Sequence, residues 1–382
     1  MGNSVKIAIA YGPYSTANRL LDFRDDKIFN DSIGMTGSET SCAMISRELF
    51  LLGHDVTIFA PVVSESDGYD WDGVKIRSYR DILSTINQDW HAIYSWNEPE
   101  LLREVTWRTL RMCNLQINDF LHCSPGFDDH VDLWTSPSES HRMNVGSKSP
   151  NPGKWTVVNN GCDPTLYDPT KSVPGRVVWA SSPDRGLHWL LSIWPKIKKE
   201  VPWAELRIHY RINSWVNHFI EVDPVHNPTY PELKSRAFYI RESIRKMNSH
   251  GVKFMDSVSR NDMTKVWDEA QVLAYPCDPI GYTEGFSVSI MEACASGTVP
   301  VITDTDALGE IYGEHVPMIH GRISDNLNEY TELVIRSLKD DSFRNNSIIS
   351  CRSLANKYTW KSIAKNVECI IVENRKSRGW SV

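Results

Sequence analysis

Two runs of alternating strand-like and helix-like segments, separated by one turn-dense stretch, constrain this chain more than any other feature. Lys6 to Ala10 and Asp55 to Ala60 are short apolar runs that read as strands, and Ser38 to Leu52 between them reads as a helix, which makes a βαβ unit. Further strand-like pieces lie at Val74 to Ile76, Ala92 to Tyr94 and Trp155 to Val158, with a helix expected around Glu98 to Leu110. The stretch "NNGCDPTLYDPTKSVP", Asn159 to Pro174, is dense in turn residues, as a boundary or hinge should be. The rhythm then restarts: strand "RVVWA", helix Leu187 to Lys199, strand "AELRIHY", helix Pro231 to Asn248, strand "VKFM", helix Met263 to Ala270 and strand "QVLAY". The expectation is an α/β chain of two Rossmann-like halves with a cleft between them. Its 382 residues and 41% hydrophobic content are enough to build a core in each half.

Charge and cysteine content narrow the partners. A formal net charge of -7 gives no broad cationic surface, which argues against nucleic acid and leaves room for small basic pockets that take anionic ligands. Eight cysteines are scattered without a C-x-x-C pair or metal-ligand spacing, so they read as reduced thiols in a cytoplasmic protein that holds no metal. The apolar run in "MGNSVKIAIAYG" is too short for a signal peptide, and no window approaches a transmembrane span. Lys6 stands where a myristoylation motif needs Ser or Thr, which leaves peripheral membrane contact open.

The segment "GYTEGFSVSIMEACASGTVPVI", Gly281 to Ile302, keeps two carboxylates, Glu284 and Glu292, in an otherwise apolar and small-residue run. Phe286, Ile290 and Ala293 recur on one helical face, and Val288, Met291 and Ala295 on another. The remaining stripe of Gly285, Ser289, Glu292 and Ser296 is polar without a Lys or Arg, and is expected to line a cleft rather than to face bulk solvent. Gly34 and Gly37 precede the first long helix at the end of the long Tyr11 to Met35 connection. They allow close backbone approach, and the helix-start amides would suit an anion.

Taken together, these motifs resemble the family 4 retaining glycosyltransferases. Glu284, Glu292, Gly297, Pro300 and Val301 look like that family's E-x7-E signature followed by a G-x-x-P-V strand. "NNGCDPTLYDP" is similar to its interdomain linker, "SSPDRGLHWLLSIWPKIKKEVPWAELRI" to its phosphate-binding segment and "YTWKSIAKNVECIIVE" to its terminal helix. "GSETSCAMISRELFLLGHDVTIFAP" fits its first helix and second strand, and "SPSESHR" fits a Ser placed before a helix late in the N-terminal domain. The resemblance implies a GT-B fold: two Rossmann-like domains facing a central cleft, with a C-terminal helix crossing back to the N-terminal domain. The implied boundaries are 1–160 for the acceptor-side domain, 161–355 for the donor domain and 356–382 for the crossover helix and tail.

The implied function is retaining transfer of a sugar from a nucleotide-diphosphate sugar to a hydroxyl on a glycan or other acceptor, without metal or further cofactor. As the donor bond breaks, charge gathers on the diphosphate. Arg185 would meet it as a forked cation, helped by the amides at the turn of Gly285, Phe286 and Ser287. Glu284 would face hydroxyls of the transferred sugar, Glu292 those of the ribose, and domain closure would dry the cleft. His122, with Asn118 and Asp119, is the nearest match to the family's acceptor-side His. The place of the family's Gly-Arg is taken by Ala180-Ser181 or Ser181-Ser182, so Arg207 or Arg211 is left to supply the charge. Asp256 stands where the family's base-contacting turn carries Gly, and Ser259 to Asp262 reads equally as a helix cap. The Tyr11 to Met35 loop, with Arg19, Asp22, Arg24, Asp25, Asp26 and Lys27, either selects the acceptor or carries solvated charges. A paired-carboxylate hydrolase is less coherent than hydroxyl binding by the two glutamates. Two other readings stay open: a non-hydrolysing nucleotide-sugar epimerase and a catalytically weak nucleotide-sugar binding protein.

Overall fold

The computed structural model describes residues 4–16, 19–32, 34–105, 108–118, 124–221, 229–247 and 250–381. The chain divides into two compact units. The first comprises Met1–Asp31, Met35–Gly161 and Tyr358–Val382, and the second Ser32–Gly34 and Cys162–Lys357.

The first unit is built on an eight-stranded sheet of β1 (Lys6–Tyr11), β2 (Asp55–Ala60), β3 (Asp70–Trp71), β4 (Val74–Ser78), β5 (Ala92–Trp96), β6 (Leu110–Asn114), β7 (Leu133–Ser136) and β8 (Trp155–Val157), in the order β3-β4-β2-β1-β5-β6-β7-β8. Every pairing is parallel except β3 with β4. Both faces of β1 are buried, which is why "KIAIAY" is apolar almost throughout instead of alternating. Helix α1 (Gly37–Leu51) opens on a capping box: Thr36 accepts from the Glu39 amide, and the Glu39 carboxylate accepts from the Thr36 amide at 2.7 Å. The terminal helix Trp360–Ser377 packs on α1 and adds Trp360, Ile363, Val367 and Ile371 to the core that holds Ile7, Ile9, Ile45 and Leu49.

Among the described residues, the expected helix around Glu98 to Leu110 is not formed. Glu100–Glu104 makes one short 3-10 turn that buries Leu101 and Leu102, and Leu110 instead begins β6. The helix-like recurrence of Leu101, Leu102, Val105 and Leu110 is divided between two cores: Leu101, Leu102 and Val105 join Cys113 in one cluster, and Leu110 joins Ile7, Ile9 and Met112 in the other. The strand Leu133–Ser136 is a further element that the sequence reading does not contain.

The second unit has six strands, β9 (Arg176–Trp179), β10 (Glu205–His209), β11 (Val252–Met255), β12 (Val272–Tyr275), β13 (Val299–Thr303) and β14 (Met318–Ile319), in the order β11-β10-β9-β12-β13-β14 with parallel pairings. Its longer helices are α2 (Leu187–Glu200), α3 (Ile212–Glu221), α4 (Tyr230–Met247), α5 (Arg260–Glu269), α6 (Val288–Ser296), α7 (Ile323–Lys339) and α8 (Asp341–Lys357). Strand β9 lies inside this sheet and feeds α2 through the Pro183–Arg185 turn. In an open parallel sheet, the loops at the carboxyl ends of the strands are where ligands bind.

Candidate functional site

Arg185 and Glu284 meet although 99 positions apart, the Arg185 Nη1 donating to Glu284 Oε1. The Glu284 side chain is 1% exposed, whereas that of Arg185 keeps 31%. Arg185 Nε is buried without a hydrogen-bond partner, so one donor of the fork is uncommitted. Burial works against the Arg185 charge, but Glu284 together with Tyr275, Asp184 and Cys277 outweighs it and lifts the guanidinium pKa above its ordinary value. The Tyr275 hydroxyl, at the end of β12, donates to the same Oε1 at 2.9 Å, and Ser181 Oγ lies 3.1 Å from that hydroxyl. Asp306 Oδ2 accepts from the amides of Thr283 and Glu284 at 2.8 and 3.0 Å, which fixes the backbone that presents Glu284. Burial pushes the Asp306 pKa up.

The Arg185 turn has its own support. Gly186 has φ of 117°, and a Cβ there would stand 1.9 Å from the Pro276 carbonyl oxygen, so only glycine lets the turn seat against that strand end. The Asp278 amide donates to the Arg185 carbonyl at 3.1 Å.

Downstream of Glu284, Gly285 is half-buried and Phe286 is buried edge-on to Tyr312. Ser287 holds a left-handed φ of 67° and does not cap α6 with its side chain. A non-glycine residue in that region carries strain, and the Tyr312 hydroxyl braces the bend from 2.9 Å to the Phe286 carbonyl and 2.8 Å to that of Ser287.

The polar stripe is divided: Glu292 and Ser296 are buried, whereas Gly285 and Ser289 are half-buried. Every residue of the helix except Ser289 is buried. Ser289 Oγ donates to the Ala180 carbonyl at 3.3 Å, and Ser296 Oγ to the Ala293 carbonyl at 2.9 Å. Both oxygens of Glu292 are engaged: Oε1 by the Arg260 guanidinium and Oε2 by Trp267 Nε1 at 3.2 Å. Burial opposes the Arg260 charge, and Glu292 more than restores it, so the Arg260 pKa is raised. Sequence reasoning missed this pair because Arg260 and Glu292 lie on two helices with no motif joining them.

The remaining expected residues lie elsewhere. Arg211 is exposed just before α3. Arg207 donates through Nε to Glu205 at 2.6 Å and through Nη1 to Glu269 at 3.4 Å, which engages most of its fork in an ion network along the sheet. Gly37 is the first residue of α1 in the first unit, where Thr36 and the Glu39 carboxylate already occupy the helix start, and Arg19 donates to Glu39 at 2.5 Å. Arg24 likewise pairs with Asp22, at 2.9 Å, so these loop charges largely answer one another. Asp256 accepts from the Ser257 amide, and Ser259 caps α5 by accepting from the Asp262 amide at 3.1 Å. His122 and Asp119 lie outside the described residues, while Asn118 is described. A histidine that the sequence reading passed over, His141 at the end of "SPSESH", is fully buried, with Nδ1 2.8 Å from Ser136 Oγ and Nε2 3.1 Å from the Ile117 carbonyl.

Among the described residues, no cluster of His, Cys, Asp or Glu could hold a metal ion, and no helix is long and apolar enough to cross a membrane.

Residues 226–340 match the family model described as Glycosyl transferases group 1. The structure is similar to sucrose-phosphate synthase from Thermosynechococcus elongatus, with a TM-score of 0.65 and 12% identity over 97% of this chain and 100% of that one. It is similar to a glycosyltransferase involved in avilamycin A biosynthesis, with a TM-score of 0.64 and 15% identity over 99% and 100%. Anabaena HepE, solved in complex with UDP and glucose, matches with a TM-score of 0.62 and 13% identity over 96% and 99%. A sequence search of curated proteins finds no match. The segment that carries Glu284 and Glu292 therefore lies within a match to the Glycosyl transferases group 1 model, in a chain with the GT-B fold.

Proposed function

We propose that the chain is a retaining glycosyltransferase of the family 4 type, moving a sugar from a nucleotide-diphosphate donor to an acceptor hydroxyl without a metal ion. The observation that carries this reading is the Arg185–Glu284 pair, which joins a cation with an uncommitted Nε to a buried carboxylate that lies in the family-matched segment 226–340. As the anomeric carbon–oxygen bond breaks, its electron pair passes to the diphosphate, and Arg185 with the first amides of α6 stabilises that charge. The acceptor oxygen bonds to the anomeric carbon on the same face, and its proton goes to the departing phosphate oxygen. Glu284 Oε1 is taken by Arg185 and Tyr275, which leaves Oε2 for a sugar hydroxyl. Glu292 contributes to ribose binding only through lone pairs that Arg260 and Trp267 leave over. The UDP and glucose in the HepE complex are the ligand classes this reading calls for. Among the described residues, Cys42, Cys162, Cys277, Cys294, Cys351 and Cys369 are free thiols, which fits a reducing, cytoplasmic setting.

One alternative has a specific observation behind it. Ser181 and Ser182 occupy the place of the family's second cation, and Arg207 is committed elsewhere, which favours a protein that binds nucleotide sugar and turns it over weakly. Thermal-shift measurements with UDP, GDP, ADP and CMP sugars, followed by product analysis with and without simple hydroxyl acceptors, decide between them. Transfer to an acceptor supports the transferase, and stabilisation without transfer or hydrolysis supports the binding protein. Absence of any nucleotide stabilisation removes the donor site altogether.

A further inference from the structure

We propose that Arg236 is a positioning residue for Arg185, holding the Pro183–Arg185 turn so that the Arg185 guanidinium faces the donor diphosphate. This rests on the donor-site reading above and adds to it a residue outside the signature motifs. Arg236 lies on α4, and its side chain is only 7% exposed. Its Nη1 donates to two backbone carbonyls, those of Asp184 and Asp278. Its Nη2 donates to Glu232 Oε1 at 2.6 Å and to Asp278 Oδ2 at 3.3 Å. Trp189 Nε1, one turn into α2, donates to the same Asp278 oxygen at 2.7 Å.

The pattern of these bonds points to a clamp. Asp184 immediately precedes Arg185, and Asp278 also receives the Arg185 carbonyl through its amide. The backbone on both sides of Arg185 is thus fastened to one short segment, Pro276 to Asp278, against which Gly186 is already seated. Only a planar fork of several donors can join two carbonyls and two carboxylates at one point. A lysine ammonium has three donors on a single atom and would satisfy part of the set. Burying a guanidinium is costly unless it is paired and fully hydrogen-bonded, as Glu232 and Asp278 allow here. Because every one of these bonds ends on the turn, on its docking segment or on Arg236's own helix, Arg236 acts through the placement of Arg185. A displacement of about 1 Å in a group that stabilises charge costs on the order of 100-fold in rate.

The test reads the phosphate contact directly, as the ratio of dissociation constants for a nucleoside monophosphate and the matching diphosphate, using UMP with UDP, GMP with GDP and AMP with ADP. Wild type should prefer the diphosphate. Arg236→Lys, which keeps the charge, and Arg236→Met should each lower that preference by about ten-fold, towards the Arg185→Ala value, with monophosphate affinity unchanged. Adding Arg236→Lys to Arg185→Ala should cost nothing more. A wild-type ratio in Arg236→Lys, confirmed as folded by its melting curve, overturns the proposal, as does an additive loss in the double variant. A wild-type protein that binds no nucleotide overturns the donor-site reading itself, and one that binds mono- and diphosphates equally overturns the role of Arg185.

Discussion

Glu292 and Arg260 form an ion pair in the interior of the second unit, with side chains 6% and 16% exposed. Removing one member strands a charge in a site with little water. Glu292→Ala should therefore lower the unfolding free energy by about 3–5 kcal/mol, whereas a paired replacement by uncharged residues of similar size, Glu292→Gln with Arg260→Met, should recover most of it. Urea denaturation of the three proteins measures this. If Glu292→Ala proves as stable as wild type, the pair is not formed in solution, and any nucleotide-binding defect in that variant can be assigned to the ribose contact.

Gly186 should tolerate no side chain. Gly186→Ala brings a Cβ into the Pro276 carbonyl and strains a backbone held at φ 117°, with a cost of about 1–3 kcal/mol from the backbone conformation alone. The variant is expected to melt lower and to lose turnover, because the adjoining residue is Arg185. Full activity would mean that the turn can move without consequence.

Arg185→Ala should act twice. On the proposed donor-site reading it removes a cation that stabilises the leaving diphosphate, worth about 2.7–4 kcal/mol of transition-state stabilisation, and it leaves Glu284 buried with Tyr275 as its remaining side-chain partner. Adding Glu284→Gln should restore melting temperature without restoring turnover, which separates the two effects. Recovery of turnover in the double variant would place the leaving-group contact elsewhere.

Acid should unfold the protein through its histidines. Burial lowers the pKa of His141, His188 and His209 from the ordinary 6.5 to about 4. A group whose folded pKa lies below its unfolded value contributes stability above the unfolded pKa and loses it as pH falls towards the folded one. Stability should thus be level above about pH 6.5 and decline between there and about pH 4, with proton uptake on unfolding. His54 and His91 add to the trend, since their Nδ1 atoms accept from the Val5 and Lys6 amides at 3.2 and 2.8 Å, bonds that protonation abolishes. Denaturation midpoints across this range test the slope, and His141→Gln should reduce it. A flat profile would contradict the burial of these rings.

Much of the fold was legible from periodicity. Asp55–Ala60 and Val252–Met255 match their expected spans, and Gly37–Leu51 is offset by one residue at each end from its expected span, because short apolar runs bounded by turn residues leave few alternatives. The segment from Glu98 to Leu110 was misread because Leu101 and Leu102 serve one core cluster and Leu110 another, from different elements, and spacing cannot reveal that. In the site, the E-x7-E spacing located Glu284 and Glu292 but not their partners. Tyr275 was visible only as the end of a strand, Arg260 as the start of a helix, and Arg236 as one basic residue in a helix rich in them. Their roles depend on contacts across 9, 32 and 42 or 52 positions of chain, which no local pattern encodes.

The first unit recruits its last core helix, Trp360–Ser377, from beyond the second, so its hydrophobic interior is shared between two distant stretches of the chain. During synthesis the second unit, nearly all of it continuous from Cys162 to Lys357, has its own sheet and helices available first. The earlier-made strands must wait with the α1 side of their core uncovered until Val367 and Ile371 leave the ribosome. The order of manufacture and the order of completion are therefore reversed, and the interval between them is when the nascent chain most needs protection from aggregation.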